Sequence, residues 1–380
     1  MKRFQIATTC FAMICAGLIP SVRSTCADDP ILFVSAFEPG ERGAIQAYRF
    51  DLKTGSLAPL HRTADIEHPF FLALAPNGKH LYSIHARNFG GKEQEEIVAL
   101  ELEGRTGKLR LLNRQSARGT AACYLQVDAT GKALVVANYS SGSVASLPIQ
   151  ADGSLGPATS FFQHVGSSID KSRQGEAHAH CFVIGPDNRF AFAADLGLDQ
   201  VLIYQLLPGA KLAPHTQPFV RTLPGAGPRH LTFHPNGKSM YVINELANSV
   251  SHFHYDRATG FLSERQTVST LPKGFDGTSY CADLKVTPDG RFLYGTNRGH
   301  DSIAAYRIGP EGQLELIGIE PSRGKGPQNL AITPGGEWLI CANMPGNNLA
   351  VFGIDPATGA LKAAGNTTDL PAPSCIQILP

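Results

Sequence analysis

The segments Thr54-Gly55-Ser56-Leu57, Thr106-Gly107-Lys108-Leu109, Asp152-Gly153-Ser154-Leu155, Gly209-Ala210-Lys211-Leu212, Thr259-Gly260-Phe261-Leu262, Glu311-Gly312-Gln313-Leu314 and Thr358-Gly359-Ala360-Leu361 are seven versions of one turn. Self-similarity with a period of some tens of residues marks an array architecture and overrides a domain count taken from length. A second turn stands ahead of an apolar run at Pro76-Asn77-Gly78-Lys79, Ala129-Thr130-Gly131-Lys132, Pro186-Asp187-Asn188-Arg189, Pro235-Asn236-Gly237-Lys238, Pro288-Asp289-Gly290-Arg291 and Pro334-Gly335-Gly336-Glu337, which makes six. Each of these joins two short strands, such as Leu231–His234 and Met240–Ile243. A third strand follows, such as Val250–Phe253, and the Gly-Leu turn leads to a fourth. Short β-rich runs bounded by Gly, Pro, Asn and Asp read as hairpins, and four strands per repeat make a propeller blade.

The mismatch of seven turns against six locates the missing strand. The chain enters at Ile31-Leu32-Phe33-Val34-Ser35, which reads as the second strand of a blade, and ends at Pro373-Ser374-Cys375-Ile376-Gln377-Ile378-Leu379-Pro380, which reads as a first strand. The expected fold is therefore an all-β, seven-bladed β-propeller with four antiparallel strands per blade, its ring closed by the C-terminal strand so that no free edge remains. A pair of β-sandwiches or a β-helix is the competing architecture, although a β-helix repeats over a far shorter period. No long stretch keeps a 3.6-residue apolar period.

Composition agrees with a turn-rich globular protein: 43% of the 380 residues are hydrophobic, with 39 Gly and 26 Pro. Lys2 and Arg3, an apolar run from Ile6 to Pro20 and small residues before Asp28 predict a secretory signal at 1–27. The run is too short to span a bilayer comfortably, and an uncleaved N-terminal anchor is the alternative. The mature chain, 28–380, is expected to be one domain, monomeric, and exported to a periplasmic or extracellular space. Removing Lys2, Arg3 and Arg23, with no acid, turns a formal charge of +1 into −2. That charge disfavours nucleic acid, and a membrane beyond the signal, as partners. Five cysteines remain, an odd set without CxxC spacing, so buried thiols are expected instead of disulfides or a zinc site.

Register along the repeats points to a site. Seven residues beyond the third position of each second turn stand His85, Asn138, Asp195, Asn244, Asn297 and Asn343, a polar ring that suits turn capping as well as ligand contact. One residue further stand Ala86, Tyr139, Leu196, Glu245, Arg298 and Met344. A repeated scaffold needs one residue for one structural job, so a position that changes charge between blades is a better candidate for chemistry. Six residues before each second turn come Phe70, Cys123, His180, Arg229, Ala282 and Gln328. Antiparallel pairing brings the start of the inner strand to the end of the second strand. His180, Arg229, Glu245 and Arg298 are thus expected to converge at one mouth of the central channel as the catalytic set, with the two arginines carrying little core packing. Two guanidinium groups suit a carboxylate, a phosphate or a developing oxyanion, His180 a proton near neutral pH, and Glu245 their orientation. An ion-pair lattice without chemistry uses the same residues. His178, Asn138, Asp195, His230, Asn297 and Gln328 are the candidate substrate contacts, and Glu176, His230, Asp283 and His300 are placed at the rim. His178 and His180 form an HxH pair that invites a metal, but no third ligand is placed beside them, so no metal is expected. GxSxG, CxxCH and GxGxxG contexts are absent, so neither a serine nucleophile nor a cofactor is expected.

Asn138-Tyr139 with Gly142-Ser143-Val144, His178-Ala179-His180, Gly227-Pro228-Arg229-His230, Asn244-Glu245-Leu246 and Asn297-Arg298-Gly299-His300-Asp301-Ser302-Ile303 resemble segments of the seven-bladed lactonase family. That family includes bacterial 6-phosphogluconolactonases and fungal carboxymuconate lactonizing enzymes, and the likeness spans essentially all of 28–380. It implies a metal-independent enzyme that opens a sugar lactone, an anionic small molecule, with lactonization or a non-catalytic carbohydrate- or protein-binding propeller as alternatives. In the lactonizing enzymes a His, two Arg and a Glu form the proposed site, and they match His180, Arg229, Arg298 and Glu245. Gly326-Pro327-Gln328-Asn329 departs from the family by carrying Gln where Arg is frequent.

Overall fold

The computed structural model describes Met1 and residues 29–380. The expected signal at 1–27 lies outside the described residues, apart from Met1. Between Ile31 and Leu379, strands build seven antiparallel sheets, and the only helical element among the described residues is a 3-10 turn, Gly40–Arg42. We number the blades in chain order. Blade 1 pairs Pro373–Leu379 with Ile31–Ala36, followed by Ala44–Phe50 and Leu57–Thr63. The C-terminal strand is therefore the inner strand of the first blade, with Leu32 opposite Ile378 and Val34 opposite Ile376. Inner strands of successive blades touch one another all the way round, and Pro373–Leu379 contacts the inner strands of both blade 2, Leu72–Leu74, and blade 7, Pro327–Ile332. Seven sheets and one shared strand at the seam confirm the architecture legible in the repeats.

The core is a series of seams between blades. Tyr241, Ile243, Leu284 and Leu293 close the seam from blade 5 to blade 6, and Tyr294, Leu330, Leu339 and Phe352 the next one. A fully buried side chain of this size contributes roughly 1.5–3 kcal/mol. The recurrent Gly-Leu turn has a second job here. The hydroxyls of Tyr82, Tyr241 and Tyr294 donate to the carbonyls of Gly153, Gly312 and Gly359 in the turn of the following blade, at 2.9, 2.8 and 2.8 Å. The five cysteines described are buried free thiols.

Six of the seven inner strands among the described residues share an irregularity that decides where the site lies. Pairing with the second strand slips at Ser374, Cys123, His180, Arg229, Ala282 and Gln328 in blades 1 and 3 to 7. A bulge sets two residues against one and re-aims the side chain. His180, Arg229 and Gln328 stand at three of these bulges and are buried there, and His230 and Asn329 follow two of them in the chain.

Candidate active site

Glu245 follows the second strand of blade 5, Ser239–Asn244, and its backbone N–H donates to Gly227 O at 2.7 Å. Gly227 has φ +63, and a Cβ there would meet Leu246 Cγ at 2.6 Å, so the close approach of the Arg229 and Glu245 segments requires glycine. The Glu245 carboxylate collects three guanidinium groups. Arg229 Nε donates to Oε2 at 2.9 Å, Arg298 Nη2 lies 2.8 Å from Oε2, and Arg173 Nη2 donates to Oε1 at 2.6 Å. Burial alone would raise this carboxyl, but Arg298, Arg229 and Arg173 outweigh it and hold Glu245 down to about 2.

The arginines lie at different depths. Arg229 is 1% exposed and also donates from Nη1 to Ala282 O at 2.6 Å. Its burial, then repulsion from Arg298, draws its pKa down to about 10, which leaves it a cation at neutral pH. The side chains of Arg298 and Arg173 are 27% and 32% exposed. Arg298 also donates to the carbonyls of Tyr280 and Cys281, and Arg173 lies 5.6 Å from the Tyr280 ring centroid. The expectation that the mouth arginines take little part in packing holds for Arg298 and fails for Arg229, because the bulge turns Arg229 inward beneath Glu245.

His180 lies beside this cluster, its ring edge-on to Tyr139 at 5.4 Å and to His230 at 5.3 Å. Its Nδ1 is buried without a hydrogen-bond partner. Burial, and then the charge of Arg229, push its imidazole well below the ordinary histidine range. The expected exchange of a proton near neutral pH therefore does not apply to the free protein, whose site holds a neutral His180.

One residue deeper, Phe71, Tyr124, His230, Asp283 and Asn329 meet across the axis and floor the mouth. Phe71 stacks on Tyr124 at 4.3 Å, and the Tyr124 ring lies edge-on to His230 at 5.2 Å. His230 Nδ1 pairs with Asp283 Oδ1 at 2.8 Å, and Asn329 Nδ2 donates to Asp283 Oδ2 at 2.8 Å. Burial lowers His230 to about 4, with Arg229 adding to the effect. His230 and Asp283, 3% and 1% exposed, are thus floor residues and not the rim residues expected.

The other sequence candidates divide by what already occupies them. Asn138 Nδ2 donates to Ala117 O and Ser143 Oγ, and Asn297 Nδ2 to Thr270 O and Ser302 Oγ. Asp195 accepts from the backbone of His178, Gly197 and Leu198 and pairs with His164 Nδ1 at 2.7 Å. Asp195 caps its own turn, whereas Asn138 and Asn297 tie their strand ends to the carbonyl just past the outer strand of the preceding blade, and Asn138 Oδ1 stays buried without a partner. His178 stacks flat on Tyr139 at 4.5 Å while its Nδ1 engages Tyr139 O. The HxH pair thus grips one tyrosine, and among the described residues no three His, Cys, Asp or Glu side chains form a ligand set. Gln328, at the bulge of blade 7, is 6% exposed, and its side chain makes no hydrogen bond among the described residues.

Arg173 is the residue that the repeat register missed. It lies between Ser160–Gln163 and Ala179–Ile184, in a connection that follows no repeat position. Asp199 ties this connection down: it accepts from Ser168 Oγ, Gln174 Nε2, Gly225 N and Gly227 N at 2.5, 2.7, 2.6 and 2.7 Å. One carboxylate so fixes both the strap that carries Arg173 and the turn that leads to Arg229.

A seven-bladed ring with a guanidinium-lined mouth around one glutamate defines a class that comparison with known proteins makes explicit. Residues 31–378 match the family model "Lactonase, 7-bladed beta-propeller", and the chain belongs to that family. It is 32% identical over 348 residues to a 6-phosphogluconolactonase of Bacillus subtilis, covering 91% of this chain and 97% of that protein. A 6-phosphogluconolactonase of Formosa agariphila is 35% identical over 338 residues, covering 87% and 94%. The solved structure of a periplasmic gluconolactonase of Pseudomonas aeruginosa superposes with a TM-score of 0.85 at 31% identity, covering 92% of this chain and 99% of that one.

Proposed function

We infer that the protein is a sugar lactonase, a hydrolase of a cyclic carboxylic ester, and that His180, Arg229, Glu245, Arg298 and Arg173 carry the reaction. The observation that carries this assignment is the three-arginine clasp on Glu245 beside a neutral histidine. One carboxylate against three guanidiniums leaves two positive charges in excess at the mouth. This favours an anionic lactone and the charge that develops on its carbonyl oxygen.

In hydrolysis a water oxygen attacks the lactone carbonyl, the carbonyl oxygen takes the negative charge, and the ring C–O bond then breaks. Arg229 Nη2 and Arg298 Nη1, which have no partner among the described residues, supply donors for the oxyanion. Neutral His180 takes the proton of the attacking water and returns it to the departing ring oxygen. Burial depresses His180 first and the charge of Arg229 second, and an anionic substrate offsets the second of these. Glu245 holds the guanidiniums in place. Arg173, the outermost, engages the substrate's own anionic group. Gln328 supplies a neutral donor and acceptor at the mouth where a further arginine is frequent in the family.

The protein is further proposed to be exported, as a monomer, with 1–27 as its signal and 28–380 as one domain. The basic-apolar-small pattern of 1–27 and a structural neighbour described as periplasmic support the export. Turnover without a metal is supported by a site made of guanidinium groups, carboxylate and imidazole. A pH-stat assay of purified protein against gluconolactone and its 6-phosphate, with and without a chelator, tests the assignment. Acid release on either lactone that persists in EDTA is the expected result. A protein that opens neither lactone refutes it.

A further inference from the structure

The mouth has two unlike halves. Blades 4 to 6 supply His180, Arg229, Glu245 and Arg298. At the same register positions, blade 1 carries Phe37 where blades 5 and 6 carry Glu245 and Arg298, and blade 2 carries Phe70 where blades 4 and 5 carry His180 and Arg229. Phe37 and Phe70 pack edge to face with centroids 5.2 Å apart. Phe89, from the connection after the second strand of blade 2, joins both at 4.9 and 5.2 Å. All three residues remain partly exposed. Phe37 and Phe89 belong to none of the interblade seams, and Phe70 only packs against the edge of one. The cluster therefore lies outside the core that holds the blades together.

The two halves share a floor. Phe71, next in the chain to Phe70, lies 5.9 Å from the His230 ring, and His230 Nε2 lies 3.3 Å from Arg229 Nη1. A small-molecule site combines apolar walls with a few placed polar groups, and here the guanidinium groups stand on one side while the other is aromatic, with the His68 ring 5.1 Å from Phe37 and held at Nδ1 by Ala86 O. A sugar lactone is amphipathic in the matching way: its carbonyl and hydroxyl edges seek donors, and its C–H faces carry positive hydrogens that suit the negative face of an aromatic ring.

Building on the lactonase assignment, we propose that Phe37, Phe70 and Phe89 form the wall against which the C–H face of the substrate ring packs. They determine specificity for a ring substrate whose carbonyl is turned toward Arg229 and Arg298. The wall acts equally on ground state and transition state, so its removal belongs in KM.

Hydrolysis of gluconolactone by Phe37→Ala, Phe70→Ala and Phe70→Tyr tests this, together with binding of gluconolactam, the ring-closed nitrogen analogue that resists opening. The alanine variants are expected to raise KM about three- to tenfold with kcat within about twofold, and Phe70→Tyr to restore KM. Lactam affinity should fall in parallel. Phe37 lies outside the seams, so Phe37→Ala keeps the test valid if Phe70→Ala unfolds. Turnover with KM unmoved in the folded alanine variants overturns the wall and leaves the cluster as a plug of the mouth. A wild-type protein that turns over no lactone, yet loses lactam affinity in the alanine variants, overturns the lactonase assignment and keeps the wall. Absence of both turnover and lactam binding overturns both.

Discussion

Arg229 and Arg298 bring the same charge to the same carboxylate, but their surroundings give their removal different consequences. Arg298 is partly exposed, so Arg298→Ala is expected to lower kcat/KM about a hundredfold while the melting temperature stays close to wild type. Arg229→Ala should match that loss and also destabilise the fold by about 3 kcal/mol, because it opens a buried volume and removes a buried partner of Glu245. Steady-state kinetics and thermal unfolding of the two variants side by side separate the effects. Acid stability follows from the same cluster. His230 is lowered to about 4 from the ordinary 6.5, and Glu245 to about 2 from 4.5. In both windows the unfolded chain binds a proton that the folded chain does not, so stability is full above about pH 6.5 and falls continuously toward pH 2. His180 acts in the same direction. Urea midpoints measured across this range should decline with acid, and His230→Asn should flatten the part between pH 6.5 and 4. A midpoint that rises on acidification contradicts the buried neutral histidines.

At the scale of elements, bulges and connections place the chemistry. Counting back from the turns identified His180, Arg229 and Gln328 as one layer, because bulges recur at the same repeat position. The spacing did not reveal that His230 and Asp283 are buried and pair with each other, which moved them from the rim to the floor. Arg173 was out of reach, since its connection belongs to one blade interval alone and its partner Glu245 lies 72 residues away. Asp199 links that strap to the turn before Arg229. Asp199→Ala leaves the N–H groups of Gly225 and Gly227 without their acceptor and the Gln174 amide with Leu196 O alone, and about 1–3 kcal/mol of stability should go with it. It should also lower kcat/KM without touching substrate, and loosened Arg173 should raise KM more for an anionic lactone than for a neutral one. Equal KM changes for the two lactones would show that Asp199 acts through stability alone.

For the whole molecule, closure depends on one strand. Pro373–Leu379 pairs with Ile31–Ala36 and lies between the inner strands of blades 2 and 7. A chain ending at residue 372 exposes unpaired edges and the apolar seam around Ile376, and it is expected to lose its cooperative thermal transition and resist proteolysis no longer. An unchanged melting temperature would contradict the ring. That closure was legible in the sequence alone, because strand periodicity, turn chemistry and the count of seven turns against six are local or repetitive signals, and the repeat turns local pattern into global architecture. The convergence of His180, Arg229, Glu245 and Arg298 was legible for the same reason: one register applied to every blade. What only the tertiary structure decided is everything that departs from the repeat. The depth of each arginine, the third guanidinium on Glu245, the neutral state of His180 and the aromatic half of the mouth depend on burial and on distances between groups far apart in the chain, and no spacing along the sequence encodes those.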